Sequence, residues 1–347
     1  LSYKSSRPPT SIDVARLAGA SQTTVSLVLT GRGDTARLSK ATQQRVKEAA
    51  AKLNYVPNGL ARGLRSRATR AITVVVPSLQ NPFFAEVVGQ AQEYGDEKGY
   101  SVNVMVASSV ESSRRVLSYL AGRSVDGVLL GVDSEPVYDL IKQLLSRGVA
   151  CATLQGGANL PKEVPNISID VEAGGALATN HLIGLGHTRI GYITEYTNKT
   201  HRKYLGYKRA LEAKGLDLRD RWFATGKNTM AGGAAAMASL LGQSGLDRPT
   251  AVFAYNDLMA IGALRILKEA GIPVPHDFAV VGFDGTSVGA FTNPALTTVT
   301  HQRNVVAIEV LFSMLEHAKK ILRRYDVPIS LTIRESCGAS IGAFAKG

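Results

Sequence analysis

From residue 72 to residue 283 the chain alternates short apolar, β-branched runs with amphipathic helical stretches, and nothing else restricts its fold as strongly. Strands are expected at 72–76, 101–106, 127–130 and 150–154, with helices at 83–98, from 111 onward, and at 137–146. The pattern then repeats: helix 172–185, strand 190–194, helix 202–214, a short strand near 222–225, a helix ending at 241, strand 250–254, helix 257–270 and strand 279–283. Strands separated by helices pair in parallel, and the helices cover both faces of the sheet. Two such runs imply two α/β lobes with a cleft between them, and ligands in open α/β sheets bind beyond the carboxyl ends of the strands.

The first 70 residues differ in kind. They hold 13 Lys or Arg against 3 Asp or Glu, so a net +10 of the chain's formal +12 lies in the first fifth. A basic module on a near-neutral body points to a polyanionic partner. This module also has apolar periodicity, which a solvated basic tail lacks. Thr10-x-x-Asp13 is a capping box that opens a first helix, and Gly19-Ala20-Ser21 is a tight turn in which Ser21 caps a second. In the second helix Val25, Val28 and Leu29 fall to one side, leaving Gln22, Thr23, Ser26 and Leu27 on the other. An amide, hydroxyls and one apolar tip suit base edges in a major groove. A third helix opens at Ser39 and turns Val46, Ala49, Ala50 and Leu53 inward. It is expected to end in Asn54-Tyr55-Val56-Pro57-Asn58, because the residue before proline is driven from the helical region. Residues 59–65, with two glycines, make at most a marginal helix, of the kind that folds only on DNA.

Asp13-Val14-Ala15, Ala18-Gly19-Ala20-Ser21, Thr24-Val25-Ser26, Tyr55-x-Pro57-Asn58 and Ala61-Arg62-x-Leu64 together resemble the lactose/galactose repressor (LacI/GalR) family of bacterial transcription regulators. The resemblance continues through Asn81-Pro82-Phe83-Phe84, Leu185-Gly186-His187-x-Arg189-Ile190-Gly191, Asn256-Asp257-x-Met259-Ala260 and Val281-Gly282-Phe283-Asp284. It implies a DNA-contacting set of Thr10, Ser21, Gln22, Thr23, Thr24, Ser26, Leu27, Tyr55, Asn58, Ala61, Arg62 and Leu64. Leu64 matches the leucine that wedges into the central base step of the minor groove, a device that bends the duplex. Leu27 departs from the polar or basic residue common at its position, which favours contact with a thymine methyl.

The same resemblance implies a helix-turn-helix domain at 1–57, a hinge helix and linker at 58–70, and a core like that of periplasmic sugar-binding proteins at 71–347. Within the core, lobe 1 is expected at about 71–163 and 295–320, and lobe 2 at about 164–294 and 321–347, with a helix from Gln302 and a last strand at 329–333. A homodimer is expected on pseudo-palindromic double-stranded operator DNA, because a two-fold protein reads a two-fold site. Operator affinity would be set by a small molecule between the lobes, a sugar or sugar derivative.

The family pattern points to Phe83 on the first lobe and to Lys203, Asn228, Asn256 and Asp284 on the second as effector contacts. Two of them have a plainer reading: Asn256 as the cap of the helix it precedes, Phe83 as a core side chain. Lys203 stands where the family usually has Arg, and keeps the charge without the two-pronged donor. Asn228 stands where relatives often place a stacking aromatic. Lys199, His201, Arg202 and Lys203 lie close in sequence, which raises a second expectation, an anionic sugar.

Enzyme chemistry finds little support. Gly285-Thr286-Ser287-Val288-Gly289 matches the nucleophile-elbow string, but Asn293-Pro294 interrupts before the required helix. Gly184-x-Gly186 follows a helix and precedes a strand, the reverse of a phosphate-cradling loop, and His187 reads as a structural turn residue. Neither cysteine, Cys151 or Cys337, has metal-ligand spacing around it, and no metal or cofactor is expected. Without an apolar run of spanning length or a signal-like start, the chain is expected to be cytoplasmic.

Overall fold

The computed structural model describes residues 7, 9–31, 33–55, 69–122, 125–132, 135–154, 160–242, 247–316 and 321–339. The chain divides into two compact units, Leu1–Thr69 and Arg70–Gly347.

The first unit holds α1 (Ser11–Ala18), α2 (Gln22–Leu29) and α3 (Lys40–Lys52). Thr10 opens α1 with a reciprocal capping box: its Oγ1 accepts from the Asp13 N–H at 3.4 Å, and its own N–H donates to the Asp13 carboxylate at 2.9 Å. Gly19 closes α1 at φ 59, donating to the Arg16 carbonyl, while the Ala20 N–H returns to Ala15. Ser21 caps α2 by accepting from the Thr24 N–H at 3.1 Å, and Ser39 caps α3 in the same way. Val14, Ala15, Ala18, Val25, Val28, Val46, Ala49 and Ala50 form the core of this unit, with Leu29, Leu53 and Tyr55 packed against it.

α3 stops differently from expectation. Asn54 takes a left-handed conformation, φ 47, its N–H donating to Ala51 while that of Tyr55 donates to Ala50. This double closure ends the helix before the pre-proline residue is reached. Val56 and Pro57 lie outside the described residues.

The second unit contains two parallel sheets. The first has the order β2-β1-β3-β4, from β1 (Ala71–Val76), β2 (Ser101–Val106), β3 (Gly127–Leu130) and β4 (Ala150–Thr153). Helices α4 (Pro82–Lys98), α5 (Val110–Gly122) and α6 (Glu135–Ser146) connect its strands. After a short strand β5 (Asn166–Ser168) come α7 (Val171–Gly184), β6 (Ile190–Thr194), α8 (Arg202–Glu212), β7 (Phe223–Thr225), α9 (Met230–Leu241), β8 (Ala251–Ala254), α10 (Asp257–Glu269) and β9 (Ala279–Asp284). The chain ends through β10 (Thr297–His301), α11 (Arg303–Leu315), β11 (Arg324–Asp326) and β12 (Ile329–Thr332). The second sheet runs β12-β10-β9-β8-β6-β7 and is parallel except at β12, which pairs antiparallel with β10.

The lobe boundary near residue 295 needs correction. β10 pairs with β9 and β12, so residues 297–301 belong to the second sheet. The crossing comes one step later, where α11 enters the first lobe: Leu311 and Leu315 reach Gly127, and Phe312 meets Tyr94 and Tyr100. β5 and β11, absent from the sequence reading, pair as a two-stranded parallel ribbon on the other two connections between lobes. At three residues each they are too short for periodicity to show.

Inside the second lobe α7 and α8 cross at backbone contact. A Cβ on Gly206 would lie 1.9 Å from the Glu172 carbonyl oxygen, and one on Gly175 would lie 2.2 Å from that of Lys203. Only glycine permits this approach, and it fixes where the first turn of α8 stands relative to the sheet.

Candidate functional site

In the first unit Ser21, Gln22 and Thr23 are exposed at the start of α2, and Thr24, Ser26 and Leu27 are half-buried along it. The Gln22 Nε2 donates to Ser11 Oγ at 2.8 Å, so the two helix N-termini lie side by side. Helix N-termini favour phosphate, and Arg7 and Arg16 add positive charge near α1. Both arginines approach Asp13, whose carboxyl is held below its ordinary range chiefly by hydrogen bonds from Thr10. Thr10 is thus committed to its cap, and Tyr55 is half-buried against the three-helix core. Asn58, Ala61, Arg62 and Leu64 lie outside the described residues.

In the second unit a cavity of about 560 Å³ opens between the lobes, and Phe83, Lys203, Asn228, Asn256 and Asp284 all line it. Phe83 sits in the first turn of α4, which Asn81 caps by accepting the Phe83 N–H. It is buried yet faces the cavity, edge-on to Phe84 and His301. Asn256 does two things at once. Its Oδ1 caps α10 by accepting the Met259 N–H at 2.9 Å, and its Nδ2 donates to Asn228 Oδ1 at 2.7 Å. Asn228 passes the orientation on, its Nδ2 donating to Glu195 Oε1 at 2.9 Å. Burial raises the Glu195 pKa against the opposing effects of Asn228 and Lys203.

Asp284 ends β9 at φ 113, a strained conformation for a residue with a side chain, costing on the order of 1–3 kcal/mol. Its carboxylate lies 4.0 Å from Lys203 Nζ and 3.8 Å from His301 Nε2. Burial works to raise its pKa, but Lys203, His301 and Arg303 outweigh this and hold it below the ordinary carboxylate range. Lys203 in turn donates to the Tyr255 carbonyl at 2.7 Å and lies over the rings of Phe283 and Tyr255. Burial draws its ammonium down to about 8, with Asp284 pulling the other way. Behind this pair, Asp257 accepts from the Thr286 N–H and hydroxyl and from Thr298, joining the loop after β9 to β10. Burial and the charge of Asp284 push Asp257 up to about 7.

The basic run at 199–203 is answered residue by residue. Lys199 pairs with Asp220 outside the cavity, and Arg202 reaches Asp170 at 3.6 Å. His201 accepts the Tyr204 N–H to cap α8 and is drawn down to about 4, mainly by burial, so it is neutral at pH 7. These four residues therefore aim no free cluster of charge at the cleft.

Sequence reasoning missed Glu195, Tyr196, Tyr255 and Arg303, all of which line the cavity. Glu195 and Tyr255 directly follow the ends of β6 and β8, so the strand-end rule that selected Asn256 and Asp284 could have found them. Arg303 carried no such signal, because its placement depends on where the chain crosses between lobes.

The elbow-like string at 285–289 forms no nucleophile site. Ser287 opens a short 3-10 turn, and its N–H and hydroxyl both bind the Glu86 carboxylate of the first lobe, at 2.8 and 2.7 Å. His187 Nδ1 lies 3.0 Å from Thr250 Oγ1, joining the turn before β6 to the residue before β8, as a structural residue does. Among the described residues no cluster of His, Cys, Asp or Glu could hold a metal ion, and no helix is long and apolar enough to cross a membrane.

Residues 12–58 match the lacI family of bacterial regulatory proteins, and residues 179–337 match a periplasmic binding protein-like domain. An HTH-type transcriptional repressor PurR of Aliivibrio fischeri (strain MJ11) is 33% identical over 335 residues, covering 93% of this chain and 97% of that protein. A transcriptional regulator CelR–cellobiose complex superposes with a TM-score of 0.66 at 32% identity, over 94% of this chain and 99% of the other. The lac repressor dimer bound to operator and the anti-inducer ONPF gives a TM-score of 0.77 at 26% identity, over 95% and 99%. With a capped helix-turn-helix ahead of a two-lobed α/β body, and relatives that are repressors rather than enzymes, the chain belongs to the lacI family of bacterial regulatory proteins and is a DNA-binding transcriptional repressor with an effector-binding domain.

Proposed function

We propose that this repressor acts as a cytoplasmic dimer on a pseudo-palindromic operator, and that a carbohydrate-like molecule held between its lobes sets the operator affinity. In this reading residues 1–57 read the major groove, 58–70 form the hinge, and 71–347 bind effector and dimerise. Gln22, Thr23 and Leu27 contact bases, while Thr10, Ser21, Thr24, Ser26, Tyr55 and Asn58 position the module on the backbone. Ala61, Arg62 and Leu64 enter the minor groove, with Leu64 as the wedge.

The observation that carries the ligand reading is the linked array Glu195–Asn228–Asn256 beside the Lys203–Asp284 pair, opposite Phe83. Fixed amides and carboxylates offer donors and acceptors to several hydroxyls at once, and an aromatic wall faces the apolar side of a sugar ring. The cellobiose in the CelR complex supports the same chemistry in a structural neighbour. Ligand touching both lobes would change their angle and hence the spacing of the paired hinges, which links the two binding equilibria.

Selection of bound duplexes from a random pool with the full chain tests the DNA half of this reading. It should enrich a two-fold symmetric sequence that binds far more tightly than a scrambled duplex. Equal affinity for both would overturn it.

A further inference from the structure

We infer that Arg303 is an anion-binding residue of the cleft, so that the effector is a carbohydrate bearing a carboxylate or phosphate; this rests on the ligand reading above. Among the described residues, five charged side chains line the cavity: Glu195, Arg202, Lys203, Asp284 and Arg303. Four have partners. Arg202 reaches Asp170, Lys203 and Asp284 face each other, and Glu195 accepts from Asn228. Arg303 makes no hydrogen bond or ion pair with any of the described residues, and its Nε is buried without a partner. Its guanidinium instead lies over the ring of Phe83, 5.5 Å from the centroid.

Leaving the buried Nε without an acceptor is costly, and the structure keeps this half-buried guanidinium at the ligand cavity. The guanidinium is planar and presents two parallel donors, the geometry that carboxylate and phosphate oxygens match. Contact with the Phe83 ring helps hold it in place. Arg303 thereby supplies the two-pronged donor that Lys203, tied to Asp284 and the Tyr255 carbonyl, does not. Its position adds a coupling role. Arg303 is the first residue of α11, immediately after the crossing from the second sheet, while Phe83 belongs to the first lobe. An anion held there sits on the joint between the lobes, with the neutral end of the molecule left to Glu195, Asn228 and Asn256.

The test is a thermal-shift screen of the full chain, followed by calorimetry, with matched sets of hexoses, their uronic and aldonic acids, and their 6-phosphates. An acid or a phosphate should bind tighter than its parent hexose, and the arm that responds identifies the anion. Arg303→Gln should weaken that ligand roughly 10- to 100-fold, the range for losing a charge-assisted hydrogen bond. The unliganded variant should still melt in one cooperative transition, so that the loss reads as binding and not as unfolding. Arg303→Lys keeps the charge without the fork and should fall between, and it serves if the Gln variant does not fold. A neutral hexose binding tighter than its acid and phosphate, or an anionic ligand unmoved in both variants, overturns the inference while sparing the carbohydrate reading. No response to any of the three classes overturns both.

Discussion

The α7–α8 crossing ties stability to the cleft, and Gly206→Ala probes it. The added methyl carbon would stand 1.9 Å from the Glu172 carbonyl oxygen and 2.7 Å from the Ala176 nitrogen, where contacts under 3.0 Å are essentially never seen. Both obstacles are backbone, so no rotamer change relieves them. α8 would have to retreat by roughly 1 Å in a close-packed interior. Overpacking of this kind costs about 3 kcal/mol, and the better helix propensity of alanine returns at most about 1. A net loss of about 2 kcal/mol, or roughly 4–8 °C in melting temperature for a unit of this size, is expected. The displaced helix carries Lys203, so the 2.7 Å bond to the Tyr255 carbonyl should break and ligand binding should fall with stability. Gly89→Ala is the control: it lies on an exposed face of α4 with nothing within 4 Å of the new methyl, and should stabilise by up to about 1 kcal/mol. Urea unfolding of the three proteins decides the matter. A Gly206→Ala protein as stable as the wild type would refute the argument that backbone contact positions α8.

Three further outcomes are expected. Thr10→Ala removes the capping-box acceptor and should cost the first unit about 0.5–2 kcal/mol, read from amide exchange in α1. Gln22→Ala should weaken binding to the selected operator by about 1–3 kcal/mol while leaving the salt dependence of binding unchanged, read by fluorescence anisotropy. His201 is drawn down to about 4 in the folded chain from its ordinary 6.5, so the unfolded chain binds more protons between these values. The stability it contributes is complete above about pH 6.5 and is lost as pH falls through about 4. His201→Asn can still accept the Tyr204 N–H without titrating, and melts across that window should show a flatter acid decline.

Much of the fold was legible because its signals are local. The Thr10 and Ser21 caps, the left-handed Gly19, and the period-2 to period-3.6 alternation from Ala71 to Asp284 each act within a few residues. The five ligand candidates were legible for a related reason, since four of them flank strand or helix ends, where α/β sheets expose side chains to the cleft. What escaped depends on contacts distant in sequence. β10 joined the second sheet because Thr297–His301 pairs with β9 and β12, which no periodicity announces. The charges at 199–203 looked free in sequence and are paired in space with Asp170, Asp220 and Asp284. Arg303, unremarkable in sequence, is brought to the cavity only by the crossing at His301.

The claim at the centre of this account is that cleft and operator are thermodynamically linked. The direct measurement is the dissociation constant of the full chain for its selected duplex, with and without saturating amounts of the ligand found in the carbohydrate screen. The account predicts a change of at least about 5-fold, within the usual range of allosteric coupling, and an equal change in ligand affinity when the duplex is present. It also predicts that Asp284→Ala keeps duplex binding and loses the response. A ligand that fills the cleft and leaves the operator dissociation constant unchanged would contradict it.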